Sequence, residues 1–215
     1  DPVLSPDRFA GLNSSISRQL KQVAKLVKLN RDSAGLGLNR QVFFVQQGGY
    51  DTHQNQVSEQ AALFDGLSQA LAAFQLTMED LGYPDRVTAF TLSDFGRTLQ
   101  PAGSGSGSVG TDHAWGSHQL VLGGAVKGGN FYGAAGPNGT IFPSHVLGNV
   151  AGSSDTDTRG RFIPSVAVDQ YGATLARWFG VSAANLPAVF PNLYRFAPAD
   201  LGFLNPPGSS LPGCP

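Results

Sequence analysis

Charge is scarce in this sequence. Asp, Glu, Lys and Arg make up 13% of its 215 residues and the formal net charge is −1, about half the usual charged share. There is accordingly no basic face to follow a nucleic-acid backbone and no polybasic patch for a membrane surface. Cysteine is scarcer still: Cys214 stands alone, second from the end. That excludes a disulfide within the chain and a thiolate-rich metal site. A free terminal thiol is the expected state, with a bridge to a segment outside this chain as the alternative. No apolar run approaches the roughly 20 residues that cross a bilayer. There is also no positively charged start followed by an apolar stretch and a cleavage site. The chain opens on Asp1-Pro2-Val3 without Met, as expected of a processed or truncated chain whose upstream part carried a targeting signal.

Apolar residues, by contrast, are plentiful: 41% of the chain is hydrophobic and 10% aromatic, enough for one buried core and a single domain over 1–215. The 28 glycines and 14 prolines imply a surface rich in loops, where sites tend to be carried. No internal repeat or linker divides the chain. Residues 186–215 hold Pro187, Pro191, Pro198, Pro206, Pro207 and Pro212, which predicts a tail that wraps the surface without regular structure.

Periodicity supplies the elements. Ser5-Pro6-Asp7 has the form of a helix start, and Phe9, Leu12, Ile16, Leu20, Val23 and Val27 follow at helical spacing, with Lys21, Lys25 and Lys28 toward the negative end. Val42 to Val45 is short and continuously apolar, which predicts a buried parallel strand. A second helix follows over 57–81, stopped by Gly82-Tyr83-Pro84-Asp85, and then a strand over 87–92. Strand, helix and strand in this order form a βαβ crossover and an α/β class. The alternating Gly and Ser of 103–108 predict a mobile flap edge. Another strand is expected at 118–122 in the same sheet, a loop over 134–161, and a last helix marked by Val168, Tyr171, Leu175 and Trp178 that closes at Gly180.

Three short stretches carry the chemistry. Gly48-Gly49-Tyr50-Asp51-Thr52-His53 follows the first apolar run, Ser93-Asp94-Phe95-Gly96-Arg97 follows the second, and Gly110-Thr111-Asp112-His113-Ala114-Trp115-Gly116 has the form of a glycine-flanked site loop. In open α/β sheets ligands gather at the carboxyl ends of strands, so Asp51, His53, Asp94, Asp112 and His113 are expected to converge there. Carboxylates and imidazoles together suit zinc or manganese, while carboxylates alone suit calcium or magnesium. One or two ions are expected. Asp51 and His53, two apart, project to one side of an extended segment; Asp112 and His113, being adjacent, point apart if they lie in a strand. Each has a plainer alternative: Asp51-Thr52-His53 as a helix cap, Asp94 as a turn cap, and Arg97 as a salt-bridge partner rather than an anion contact. His118 and His145 are read as structural.

With these residues in view the sequence resembles the DUF1501 family, placed in the alkaline phosphatase and sulfatase superfamily. The resemblance runs from about Phe9 to Phe203 and rests on GGYDTHQNQ at 48–56, SDFGRT at 93–98, GTDHAWG at 110–116 and GGAVKGG at 123–129. It implies an alkaline phosphatase-like sandwich with a mostly parallel central sheet and helices on both faces, of which this chain is the C-terminal part. It also implies a metal-dependent hydrolase of phosphate or sulfate esters acting on a small anionic substrate, its nucleophile lying upstream of this chain. Family members usually carry an export signal, which implies a periplasmic or extracellular place. The partner implied is the missing N-terminal half or another copy of the chain. The competing expectation is a non-catalytic exported binding or assembly protein that keeps the fold.

Overall fold

The computed structural model describes residues 3–33, 36–102, 109–135 and 139–206. The glycine-serine stretch of 103–108, Gly35 and Cys214 lie outside the described residues. Helix α1 spans Ser15–Asp32, α2 spans Gln56–Asp80, and two strand pairs follow: β1, Ala89–Phe90, with β4, Val121–Leu122, and β2, Gly96–Ala102, with β3, Gly110–Ala114. Helix α3 spans Val168–Phe179, α4 spans Leu186–Val189, and a 3-10 turn covers Leu193–Arg195. Helices and small sheets are mixed, an α/β chain at the coarse level.

The main core lies between α1 and α2. Ile16, Leu20, Ala24 and Val27 from the first helix meet Ala70, Ala73, Phe74 and Met78 from the second, with Leu4 and Phe9 closing one end. Helix α1 starts nine residues later than the Ser5-Pro6 start predicts, with its cap at Ser14 rather than Ser5. Gly11 adopts a left-handed φ of +81°, and the cap is Ser14, whose side chain accepts from the Ser17 N–H. Phe9 keeps its place in the core from a turn, so the spacing over-extended the helix. Asp7 stays useful there: it accepts from the Phe9 N–H and pairs with Lys21 at 2.7 Å. Only the C-terminal half of α2 is core; Val57 and Phe64 are exposed.

The strands differ most from expectation. Val42 to Val45 is extended but belongs to no ladder among the described residues. Its side chains alternate instead: Phe43 and Val45 pack on the helical core, while Val42 and Phe44 are 79% and 87% exposed. The 87–92 and 118–122 segments do meet, as Ala89↔Leu122 and Phe90↔Val121, but antiparallel. The physical reason is connectivity. The chain leaves β1, runs out and back through β2 and β3, and returns beside itself with no helix between, whereas parallel pairing requires a crossover. Every described ladder is antiparallel.

The C-terminal region is more regular than its prolines suggest. Helix α3 ends as expected at Gly180, with φ +107°. Leu186 of α4 and Leu193 of the 3-10 turn then pack on Ala173 of α3 as a second, smaller core. Tyr171 ties this unit to the β1–β4 pair, its hydroxyl donating to the Thr91 carbonyl at 3.2 Å.

Candidate metal centre

The site is built on a narrow ribbon. In β2 and β3, Gly96 faces Ala114 and Arg97 faces His113. Along the other edge of β3 runs the segment that ends the 48–55 turn: the Thr111 N–H donates to the Thr52 carbonyl at 3.2 Å, and Gln54 bridges Val109. Glycine makes this approach feasible. A Cβ on Gly110 would fall 2.1 Å from the Thr52 oxygen and 2.3 Å from the His53 carbonyl carbon. The expected site loop at 110–116 is therefore largely a strand.

Asp51, His53 and His113 converge, each offering a ligand atom within 4.8 Å of the others. One carboxylate oxygen is the hub. Asp51 Oδ1 lies 2.7 Å from His113 Nε2, 2.9 Å from His53 Nε2 and 2.7 Å from an Arg97 guanidinium nitrogen. The His113 bond and then the Arg97 bond hold the Asp51 carboxyl below its usual range, so it is ionised at neutral pH. The His113 ring is stacked on Phe95, centroids 4.5 Å apart, and lies 5.2 Å from the His53 ring. Helix α2 starts after Asn55, which has a left-handed φ of +50° and gives no side-chain cap. Asp51 and His53 are thus not its cap.

Arg97 is the buttress. Its side chain is 12% exposed; its Nε donates to Thr111 Oγ1 at 3.0 Å, and one terminal nitrogen serves the carbonyls of Thr52, at 2.9 Å, and of Thr111. Thr111 Oγ1 in turn donates to Gln56 Oε1 at 2.6 Å. A guanidinium engaged this way locks Asp51 to both strands and has little left to offer an anion.

Asp112 and Asp94 stand apart from the three. Strand alternation turns Asp112 away from His113, to a place 3.5 Å from His53 Nδ1 and 2.5 Å from an Arg159 nitrogen. A carboxylate behind the far nitrogen of an imidazole is the arrangement that orients metal-bound histidines. Asp94 is exposed on the bend before β2 and outside the cluster. His118 and His145 lie near Phe142 and Phe162 respectively, remote in role from this set.

The loop over 153–162 forms a wall that periodicity did not reveal. Asp155, 5% exposed, accepts the backbone N–H groups of Gly148, Asp157, Gly160 and Arg161. Burial alone would raise its pKa, but the four donors outweigh it and hold the carboxyl at about 2. The loop lies against β2, where the Leu99 and Gln100 N–H groups donate to the carbonyls of Gly160 and Arg159. Trp115 Nε1 fastens it to β3 through Thr156 Oγ1 at 3.1 Å, and Arg161 Nε donates to the His113 carbonyl at 2.8 Å. One signal was there to find: Asp155, Asp157, Arg159 and Arg161 put four charges into seven residues of a chain otherwise poor in charge.

Two imidazole nitrogens and a carboxylate oxygen facing one point fit a borderline divalent ion. Neither curated proteins nor solved structures yield a match. A family model, described as "Protein of unknown function (DUF1501)", matches residues 35–142, a span that includes Asp51, His53, Asp94, Arg97, Asp112 and His113 and just over half of the chain. The ribbon that builds the site is thus the part that carries the likeness, and the chain belongs to the DUF1501 family.

Proposed function

We propose that this protein is a metal-dependent hydrolase of phosphate or sulfate esters. The observation that supports it best is the meeting of Asp51, His53 and His113 within ligand distance of one another. Asp51 and the two imidazoles would hold the ion, with zinc or manganese best suited to them and calcium or magnesium to any further all-oxygen position. Arg97 fixes Asp51, the Phe95 ring sets the His113 plane, and Asp112 backs His53. Asp94 is proposed as an additional ligand of one or two ions, reached by movement of its exposed bend. A divalent ion held there would supply polarisation of an ester oxygen and a lowered pKa for bound water.

The finer fold belongs to the same proposal: an alkaline phosphatase-like sandwich, this chain its C-terminal part. Support comes from the Val42–Val45 segment, which joins no ladder among the described residues and so leaves backbone groups for a further strand to pair with. The partner is an N-terminal half that also supplies the nucleophile, or another copy of the chain, in the periplasm or outside the cell. One observation favours a non-catalytic binding or assembly role instead: a single oxygen of Asp51 pairs with both histidines and Arg97 at once, so these side chains partner one another.

Elemental analysis after dialysis against zinc, manganese and calcium separates the two. The expected result is about one ion per chain, lost in Asp51→Asn and His113→Ala and retained in His145→Ala. A wild-type protein that holds no metal sinks the hydrolase.

A further inference from the structure

The oxyanion of a substrate needs a cationic contact, and the sequence offers Arg97 for it. The structure gives Arg97 other work: its donors serve Asp51, Thr52 and Thr111. We propose that Arg159 is the anion-contacting residue of this site and that the ligand it receives is a tetrahedral oxyanion such as a phosphate monoester. This rests on the metal centre proposed above and extends it.

Three observations carry the inference. First, Arg159 is placed rather than loose. Its N–H donates to Asp157 Oδ1 at 2.7 Å, and its carbonyl accepts from the Gln100 N–H at 3.0 Å. Gly160, next to it, has φ +78°, and a Cβ there would fall 2.7 Å from Leu99 Cβ. Only glycine lets the loop lie this close to β2, and Asp155 gathers the turn beneath. Second, the guanidinium is joined to the triad through a single carboxylate and is largely unspent. Its only described partner is Asp112, at 2.5 Å, and that same carboxylate reaches His53 at 3.5 Å. The side chain is 35% exposed, so its remaining donors face no protein acceptor among the described residues. A planar fork with free N–H groups is suited to bidentate oxyanion recognition.

Third, the neighbouring guanidiniums are already committed. The carboxylates of Asp51, Asp112 and Asp157 are matched by the guanidiniums of Arg97, Arg159 and Arg161, which pair with them. A divalent cation on the triad would add positive charge on the side of Asp112 opposite Arg159, which favours an anion nearby. Arg161 is committed to Asp157 and to the His113 carbonyl, which leaves Arg159 as the guanidinium of this group with donors to give.

The test is inorganic phosphate binding by calorimetry, run on the protein with and without zinc, beside zinc content for each variant. Arg159→Ala is expected to keep its zinc and to bind phosphate about tenfold more weakly or worse, the scale of one charge-assisted hydrogen bond. Arg159→Lys should recover part of the loss, keeping charge without the fork. Phosphate affinity unchanged in Arg159→Ala overturns the inference, as does a wild type that binds no phosphate in either state. Loss of zinc in Arg159→Ala also overturns it, making Arg159 a positioning residue of the metal centre. If wild type takes up no zinc yet binds phosphate through Arg159, the metal reading fails and the anion contact stands.

Discussion

The α1–α2 pair and the β2–β3 ribbon are held by different forces. Between the helices, buried aliphatic and aromatic side chains do the work, and the polar contacts at the edge, such as Arg8 with Asp80, are exposed ion pairs of the kind that contribute little. In the ribbon few apolar side chains are buried. Its geometry comes from Arg97, the threonine hydroxyls and the four donors on Asp155, all directional. Apolar burial is roughly proportional to area and tolerates small shifts, whereas a hydrogen-bond network fails when one partner moves. Stability and site geometry should therefore be separable by mutation, a consequence that three substitutions probe.

The largest effect is expected from Phe74→Ala. Phe74 is 3% exposed in the helical core, and truncating a buried Phe costs about 3–5 kcal/mol. Urea denaturation measures it. Zinc uptake per folded molecule should not change, and a loss below ~1 kcal/mol would mean that the helix pair is not where folding energy resides.

Gly110→Ala sharpens the comparison from the other side. Its Cβ would meet backbone atoms of Thr52 and His53, which no rotamer change relieves. Overpacking of this kind costs about 1–3 kcal/mol, less than the Phe74 truncation, yet here zinc uptake should be lost because His53 is displaced. A variant that unfolds as easily as predicted but still binds zinc would break the link between strand approach and site.

The smallest effect is confined to acid. Asp155 titrates at about 2 in the native protein against an ordinary 3.8. A depressed native pKa stabilises fully above the unfolded value and loses that contribution as pH falls from 3.8 toward 2. Melting temperature followed from pH 5 to pH 2 should drop in this window for the wild type and drop less for Asp155→Asn, whose amide cannot titrate. Equal slopes would show that the carboxylate charge is not what holds the loop.

Much of the helical framework was legible because its signals are local. Gly180 ends α3 where only a left-handed residue fits, and Gly82-Tyr83-Pro84 stops α2 next to its observed end. Asp51, His53 and His113 were legible as candidates because glycines and an adjacent apolar run marked them. The start of α1 was not, since Phe9 belongs to the core without belonging to the helix, and side-chain spacing cannot tell those apart. Nor was Arg159, which lies 46 or more residues from every ligand of the triad and reaches the site only because Gly160 and Asp155 bring its loop against β2.

Amino-acid order alone therefore determined that three long helices form and where α2 and α3 end, which residue types could bind a cation, and, with Cys214 alone, that no disulfide forms within the chain. Tertiary structure decided which candidates meet. Strand alternation separated Asp112 from His113, the glycine at 110 let Thr52 and His53 approach β3, and the return of the chain through the ribbon made β1 and β4 antiparallel. Capping and periodicity act over a few residues, so a sequence displays them. The meeting of side chains 40 or 60 residues apart depends on how closely backbones can approach, and that is set by the whole fold.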